Sequence, residues 1–331
     1  MTNPMRIRYS KVREIIRIKE IGVFIALLAI CIILTMLEPK FLTISNLLII
    51  GRQIAIIGII AVGQTFLLIG NEFDLSVGAV FGLTACVIGL LMSTYGLNIL
   101  LSVFIGLLLG AIIGAINGTL ATVGKIPSFI VTLGMLSIAR GSAFIVTGGG
   151  PVVISGGKIT GKSAEILFFL GNGKLFGIIP MQFVFLILMI IAGYVLLSRS
   201  SFGFRVYALG GNIRTAILCG IGVTRIKIIC FIITGVLCAI AGTLHLAFMG
   251  TVQGTVGTGY ELDVIAAVII GGTKLGGGEG TILGTLIGAT IMGVLRNGMV
   301  LLGVSPFYQI VFIGIIIIVA VGADKWLPRR Y

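Results

Sequence analysis

Stretches without a charged side chain recur through this chain, and most of them are long enough to cross a membrane. A membrane-spanning helix needs roughly 20 consecutive, mostly apolar residues. Charged residues make up only 10% of the 331 residues, whereas a soluble domain carries about a quarter. So few charges cannot cover a water-facing surface, which excludes a soluble globular protein. We predict an all-α membrane protein with one membrane domain over residues 21–323.

The charge-poor windows predict about ten transmembrane helices, some of them short or broken. The 50 glycines predict close helix packing, because small residues let helix backbones approach each other in lipid. Arg140 lies inside one window and must pair or reach an interface. We expect it either to anchor the bundle through a carbonyl or carboxylate or to contact a solute. The windows are Ile21–Leu37, Ile54–Gly70, Leu75–Gly124 (two helices), Ile126–Thr147, Leu175–Ser198, Ile228–Gly250, the short Leu262–Gly272, Thr281–Leu302 and Phe307–Ala323.

Basic residues gather in an N-terminal segment (1–20), a central loop (199–227) and a tail (324–331). Cytoplasmic loops of membrane proteins carry such an excess, so we expect all three clusters in the cytoplasm and the domain in a bacterial inner membrane. Six predicted helices separate the first two clusters and four separate the last two, and these even numbers agree with that orientation. We therefore attribute the net charge of +13 to orientation and not to nucleic-acid binding. The basic residues are Arg6, Arg8, Lys11, Arg13, Arg17, Lys19, Arg199, Arg205, Arg214, Arg225, Lys227, Lys325, Arg329 and Arg330.

Two short motifs occur twice in the same order. Glu72-Phe73-Asp74-Leu75 is echoed by Glu261-Leu262-Asp263-Val264, and Asn117-Gly118 is echoed by Asn297-Gly298. The predicted orientation inverts one half relative to the other. Inverted repeats are typical of transporters, in which the substrate site lies where the repeats meet. We predict two inverted repeats, with chance similarity in glycine-rich apolar sequence as the alternative.

The segment Asn71–Gly78 places two carboxylates between apolar windows, where acids are costly and usually functional. It is a short polar turn, a kink whose side chains cap the next helix, or part of a solute route. Asp74 could accept amide hydrogens at the start of a helix that Leu75 opens. Asn71, Glu72 and Ser76 are candidate solute contacts, since sugars are recognised by arrays of hydrogen-bonding groups. We predict no catalytic or metal-binding residue, because no nucleophile or ligand motif accompanies the acids.

Two glycine-rich segments resemble phosphate-binding loops only in their letters. Residues 156–163 fit the pattern GxxxxGK[ST], but they follow an odd-numbered helix and would face outward, and a working phosphate loop joins a buried strand to a helix. We interpret them as an exposed loop. Gly271–Gly280 is interpreted as a tight turn between packed helices. His245 and the five cysteines, which show no CxxC spacing, are interpreted as packing residues.

The basic loop contains a short predicted helix. Asn212 can cap it, the helix would run to Cys219, and Gly220 would end it. A short, partly apolar helix in this loop either docks on a partner or lies on the membrane surface.

Taken in order, these motifs resemble the ribose-permease-like (sugar) branch of the permeases of ATP-binding-cassette (ABC) importers, a family that includes the branched-chain amino-acid permeases. The resemblance runs from about residue 40 to about 323. It rests on Phe73–Gly78, Asn117-Gly118, Ile126–Met135, Ala139-Arg140-Gly141, Tyr207–Gly222, Gly259–Asp263 and Gly271-Gly272-Thr273. Ile213 and Arg214, where relatives often have acidic residues, and Cys219, where a small hydroxyl residue is usual, depart from the family pattern.

The resemblance implies a non-catalytic subunit that forms a membrane pore with a second copy or a close paralogue. A periplasmic or lipid-anchored binding protein would deliver the solute, and a separate cytoplasmic ATPase would consume ATP with Mg²⁺. The chain itself would bind no cofactor. The ATPase would grip the coupling segment, for which we predict the residues Asn212, Arg214, Thr215, Ala216, Cys219 and Gly220. The predicted translocation-path residues are Asn71, Glu72, Asp74, Ser76, Asn117, Phe129, Glu261, Asp263 and Asn297.

Several functions remain open at this point. We expect ribose or a related pentose or hexose as the solute, with a furanosyl signalling molecule, a nucleoside or an amino acid as alternatives. An ion-coupled secondary transporter would use Glu72, Asp74 or Asp263 as ion ligands and would need no ATPase. A membrane enzyme is disfavoured, because no clustered His, Asp or Cys residues occur at ligand spacing.

Overall fold

The structure is a computed structural model that describes the backbone of residues 4–154 and 161–326 and the side chains of residues 20–154, 161–319 and 322. The basic side chains of segment 1–20 and of tail 324–331, and most of the 156–163 loop, therefore lie outside the described residues. The helices are α1 (Pro4–Leu37), α2 (Ile44–Ile69), α3 (Val77–Ser93), α4 (Ile99–Thr122), α5 (Ser128–Thr147), α6 (Lys162–Asn172), α7 (Met181–Ser198), α8 (Ser201–Gly211), α9 (Ile213–Leu218), α10 (Val223–Met249), α11 (Tyr260–Ile270), α12 (Ile282–Leu301) and α13 (Pro306–Trp326). A 3₁₀ turn (Pro39–Leu42) joins α1 to α2. Two antiparallel pairs join four short strands: β1 (Val152–Val153) with β4 (Thr251–Val252), and β2 (Lys174–Leu175) with β3 (Ile179–Pro180).

The helices confirm the predicted all-α membrane protein. Seven are long and apolar enough to cross a membrane: residues 20–37 of α1, and α2, α4, α5, α7, α10 and α12. Helix α3 is apolar but shorter, with 17 residues. Helix α13 has 21 residues, of which residues 306–319 are apolar. Helix α11 has 11 residues and is about 17 Å long at 1.5 Å per residue, which is roughly half the hydrocarbon thickness. The ten apolar helices match the predicted number, and two of them, α3 and α11, are short.

The predicted starts of α2 and α7 were wrong. Helix α2 begins ten residues before the predicted Ile54 and continues through Arg52, whose guanidinium carbon lies 4.5 Å from the centroid of the Phe248 ring. This cation–π contact lets the helix hold the charge. Helix α7 begins at Met181 instead of Leu175, because the apolar residues before it form the β2–β3 hairpin. The predicted window Leu75–Gly124 divides at Asn98, whose side chain caps α4 by accepting from the Leu101 amide at 2.8 Å.

The centre of the bundle consists of α2, α3, α10, α11 and α12, where most buried residues lie. Close helix approach depends on glycine, as predicted. A Cβ atom on Gly63 of α2 would lie 2.7 Å from the Thr234 Cα of α10, and one on Gly110 of α4 would overlap the Gly235 carbonyl. Helices α2 and α12 are also joined by a 2.6 Å hydrogen bond between the Thr65 and Thr285 hydroxyls.

The helix contacts follow the pattern that a duplication predicts. Helix α2 packs on α12 as α10 packs on α4, and α3 contacts α4 and α5 as α11 contacts α12 and α13. Glu72, just after the end of α2, forms an ion pair with Lys227 near the start of α10. The two corresponding helices α2 and α10 therefore run antiparallel, as inverted repeats require.

Candidate functional site

The first turns of the short helices α3 and α11 meet inside the bundle. A Cβ atom on Gly78 of α3 would lie 2.5 Å from Glu261 Oε2 of α11. Gly242 packs against the Phe81 carbonyl one turn further along α3, and it lies seven residues, or about 10 Å, before the end of α10 at Met249. The meeting point is thus well below the end of the bundle. Transporters place substrate and ion sites where the N-termini of such broken helices meet within the membrane.

Three of the predicted path residues form one buried cluster before α3. The Asp74 side chain, 3% exposed, accepts hydrogen bonds at Oδ1 from the Ser76 amide at 2.8 Å and the Ser76 hydroxyl at 2.6 Å. Asn117 of α4 donates to the Ser76 hydroxyl at 3.0 Å and to Asp74 Oδ2 at 3.5 Å. Helix α3 begins at Val77 and not at Leu75, so Asp74 bonds the amide just before the helix. The geometry is that of a polar turn, and the predicted cap on the helix itself was wrong.

The other acid of this segment points elsewhere. Glu72 pairs with Lys227 at the end of the bundle that carries the 199–227 loop, which we call the basic end. Asn71 is exposed and has a φ of 59°, which is in the left-handed region that asparagine tolerates better than most residues. Neither residue touches the Asp74 cluster.

The second acidic motif has different partners. Asp263, 1% exposed, lies 2.7 Å from Arg296 Nη2 of α12. Glu261 accepts from the Gly259 amide through Oε1 at 3.2 Å, while its buried Oε2 has no hydrogen-bond partner. Asn297 exchanges two hydrogen bonds with Asn46, at 3.0 and 2.9 Å. The remaining predicted path residue, Phe129, is 56% exposed on α5.

Sequence reasoning missed three partners in these contacts, namely Lys227, Arg296 and Asn46. Arg296 directly precedes the echoed Asn297 within an apolar window. A charge in such a position is the signal that could have assigned it to Asp263.

The Arg140 side chain holds the segment before α11 by hydrogen bonds to the backbone carbonyls of that segment. Its Nη1 donates to the Gly254 carbonyl at 2.9 Å and the Val256 carbonyl at 2.5 Å. This confirms the predicted carbonyl anchor. His245 packs edge-on against Phe81, with ring centroids 5.3 Å apart. Among the described residues, no group of three or more His, Cys, Asp or Glu side chains could hold a metal ion.

The predicted coupling segment forms the expected short helix. Asn212 Oδ1 accepts from the Thr215 amide at 3.1 Å, which caps α9. Gly220, just past its end, has a φ of 75°. Ala216 is buried, whereas Ile217 is 58% exposed and Leu218 is 87% exposed. Helix α9 therefore packs on the protein through Ala216 and leaves apolar side chains uncovered.

Hydrogen bonds through the 271–280 segment join α8, which precedes the coupling helix α9, to the end of α2, which precedes the first acidic motif. The Gly278 amide donates to the Ile69 carbonyl at the end of α2 at 2.9 Å. The Tyr207 hydroxyl of α8 donates to the Gly280 carbonyl at 2.7 Å, and burial raises the pKa of Tyr207 to about 12. The 271–280 segment connects the packed helices α11 and α12, as predicted, but the connection covers residues 271–281 and is longer than a tight turn. Beside it lies a cavity of about 420 Å³ lined by Gly70, Asn71, Leu209, Gly210, Gly211, Asn212, Ile213, Arg214 and Lys227.

Comparison with known proteins identifies the family of this chain. The profile of the family described as "Branched-chain amino acid transport system / permease component" matches residues 46–321. The chain belongs to this permease family. Among its relatives is the ribose import permease protein RbsC of Bacillus subtilis (strain 168), which is 43% identical over 98% of this chain and 97% of its own length. No solved structure matches the chain.

Other relatives of this permease are also named for sugars. The L-arabinose transport system permease protein AraH of Escherichia coli (strain K12) is 37% identical over 94% of this chain and 92% of its own length. The fructose import permease protein FrcC of Rhizobium meliloti is 35% identical over 88% of this chain and 81% of its own length. The predicted resemblance to the sugar branch is confirmed, and this permease is a multi-pass membrane protein of a transport system.

Proposed function

We propose that this permease is the membrane-spanning subunit of an ABC importer for a monosaccharide, ribose or a related pentose or hexose. The observation that carries the proposal is the 43% identity to a ribose import permease over nearly the whole of both chains. The contact between the first turns of α3 and α11, with polar groups around it, supports a solute route through the bundle. The predicted path residues are part of this proposal.

The proposal includes three partners. A second copy or a close paralogue completes the pore, a binding protein delivers the sugar from outside, and an ATPase that uses ATP and Mg²⁺ docks on α9. The uncovered Ile217 and Leu218 support docking of a partner at α9, because exposed apolar side chains next to a buried anchor are typical of contact surfaces. The permease would lie in a bacterial inner membrane with both termini in the cytoplasm.

We infer that movement of α9 reaches the solute route through the first half of the bundle. The turn 271–280 bonds both α8 and the end of α2, and the next residues of the chain after α2 are Asn71 and the ion-paired Glu72. The ATPase would thereby favour one of two conformations of the route, since a partner shifts an equilibrium only when it binds the two states differently.

Reconstitution tests this proposal. The permease is placed in proteoliposomes with its ATPase and binding protein, and uptake of radiolabelled ribose, fructose and L-arabinose is measured with and without ATP. We expect uptake of at least one sugar that needs ATP and both partners. Uptake driven by an ion gradient without the ATPase would instead indicate a secondary transporter. ATP-dependent uptake of an amino acid or nucleoside, with none of the sugars, would contradict the solute class alone.

A further inference from the structure

The chain re-enters the bundle between β4 and α11. Strand β4 pairs with β1 through Val252 and Val152, and Val152 lies beside Gly89 of α3. The following residues then run back along α3, because the Val256 carbonyl lies against Gly82 and the Gly257 carbonyl against Gly78. Positions 89 and 78 of α3 are eleven residues apart, or about 16 Å along the helix. Residues 253–259 therefore form a non-helical segment at membrane depth, which we call the re-entrant segment.

Irregular backbone at membrane depth must be buried in protein or line a water-filled space, because lipid cannot bond its polar groups. Part of the backbone of this segment has hydrogen-bond partners in the protein. Arg140 bonds the Gly254 and Val256 carbonyls, and the Val256 and Thr258 amides bond the Gln253 and Thr255 carbonyls at 3.0 and 3.2 Å. Arg140 thus holds the backbone of the segment against α5.

Three polar side chains of this segment are exposed. Gln253, Thr255 and Thr258 are exposed, whereas Gly254 and Gly257 between them are buried. Within the described residues, the Gln253 amide and the Thr255 hydroxyl make no hydrogen bond, and the Thr258 hydroxyl donates only to the Thr255 carbonyl at 2.6 Å. Facing lipid, the unpaired Gln253 amide and Thr255 hydroxyl would each be costly, because lipid offers them no hydrogen bond. These two side chains, and the exposed Thr258 beside them, therefore face water or a polar solute.

An aromatic ring lies beside this row. A Cβ atom on Gly254 would lie 2.7 to 2.9 Å from the Phe144 ring, and Phe144 is 39% exposed. The surface thus combines an amide, two hydroxyls and the exposed part of an apolar ring, with no formal charge on the three polar side chains. Hydroxyl and amide groups both donate and accept hydrogen bonds, so they can bind the hydroxyl groups of a sugar. An aromatic ring can pack against the C–H face of the same sugar.

We propose that Gln253, Thr255, Thr258 and Phe144 form a solute-contacting surface of the translocation path, specific for a neutral polyhydroxylated molecule. This inference rests on the proposed function and identifies contacts outside the path residues predicted from the acidic and asparagine motifs. The surface lies along the route between β4, at the end of the bundle opposite the basic end, and the meeting point of α3 and α11.

The first experiment uses the complete reconstituted importer and the variants Thr255→Val and Gln253→Met, alone and combined. Each change keeps the shape of the side chain and removes hydrogen bonding. Each lost hydrogen bond should lower the sugar uptake per ATP hydrolysed about threefold to tenfold, so the double variant should lose about tenfold to a hundredfold. Folded yield should stay at the wild-type level, because neither side chain bonds the protein.

Two matched variants control this result. Thr255→Ser keeps the hydroxyl and should retain uptake. Thr94→Val makes the same isosteric change at an exposed threonine in the α3–α4 turn, outside the re-entrant segment, and should leave uptake unchanged. Wild-type uptake in the double variant would overturn the inference.

A second experiment measures access to water independently of transport. Thr255→Cys is introduced together with Cys219→Ser, which removes the exposed native thiol, and the protein is treated in membranes with a charged thiol reagent. We expect labelling, whereas Ile138→Cys on the apolar face of α5, 62% exposed, should stay unlabelled. Absence of labelling at position 255 would contradict the inference. If the wild type shows no ATP-dependent uptake of any solute, the proposed function fails, and the labelling still decides whether the surface faces water.

Discussion

The two acidic motifs of this permease are alike in sequence and different in chemistry. Asp74 and Asp263 are both buried, at 3% and 1% exposure. Asp74 bonds the neutral Ser76 and Asn117, whereas Asp263 is paired with the cationic Arg296. The roles of the two glutamates are exchanged, since Glu72 pairs with Lys227 and Glu261 bonds a backbone amide. Corresponding positions of a duplicated fold can therefore keep the residue type while the partner, and hence the consequence of mutation, differs.

The halves also differ in what they touch at the basic end. The first motif adjoins the cavity beside α9, while the second lies within the bundle next to α12. This comparison predicts that changes at the first motif alter coupling and that changes at the second alter stability.

We expect the largest effect from Ala216→Arg. This variant tests whether α9, beside the first acidic motif, is the contact through which the ATPase acts. Ala216 is 2% exposed, and an arginine there would lift α9 from the protein. We expect sugar uptake to fall below detection in the reconstituted importer, while the amount of permease in the membrane stays normal. Ala216→Ser, which fits the same space, is the control. Undiminished uptake in Ala216→Arg would contradict the coupling role.

Arg296→Met should produce the largest loss of stability. It leaves the Asp263 carboxylate buried without its cation, which costs about 3 kcal/mol at the low end of values for a broken buried pair, since Arg296 is partly exposed. Thermal unfolding followed by size-exclusion chromatography in detergent measures the effect. The double variant Arg296→Met/Asp263→Asn should recover most of the stability. Equal stability of Arg296→Met and the double variant would show that the ion pair does not hold α11 on α12.

Glu72→Gln should reduce uptake about three- to tenfold at normal folded yield, because it weakens a partly buried charge-assisted bond worth about one to two kcal/mol. Uptake and ATP hydrolysis are measured in the same proteoliposomes. The exchanged pair Glu72→Lys/Lys227→Glu should restore part of the uptake. A loss of folded protein with no change in uptake per molecule would assign Glu72 to folding and not to coupling.

The smallest effect is expected for Asp74→Asn. The asparagine oxygen can still accept from the Ser76 amide and hydroxyl, so the free energy of unfolding should fall by less than about 1.5 kcal/mol. Asp263→Asn, measured beside it, should destabilise more because it leaves Arg296 unpaired. A larger loss for Asp74→Asn than for Asp263→Asn would reverse the comparison.

Much of the fold followed from local sequence signals. Span length identified the helices, and Asn212 and Gly220 marked the limits of α9, because caps act through the nearest residues of the chain. The start of α2 was missed because Arg52 was taken as a boundary, although the ring that accommodates its charge belongs to Phe248, far along the chain. The β2–β3 hairpin was missed because its apolar residues have the composition of a helix in lipid.

The candidate site was harder to predict than the fold. The motifs identified Asp74 and Asn117, but their contact depends on the packing of α3 on α4. The re-entrant segment carries no charge and no repeated motif. It becomes visible only when Gly78 and Gly82 of α3 are seen to lie against its carbonyls.

The hydrogen bonds between α2 and α12 have a consequence for how this permease can move. The Thr65–Thr285 bond and the paired Asn46 and Asn297 amides join the two helices at well-separated levels. Sliding one helix along the other would break all three bonds at once, so we expect α2 and α12 to move as one rigid body. Opening and closing of the route would then require α2 and α12 to tilt together. The chain would bend in the short connection between α2 and α3.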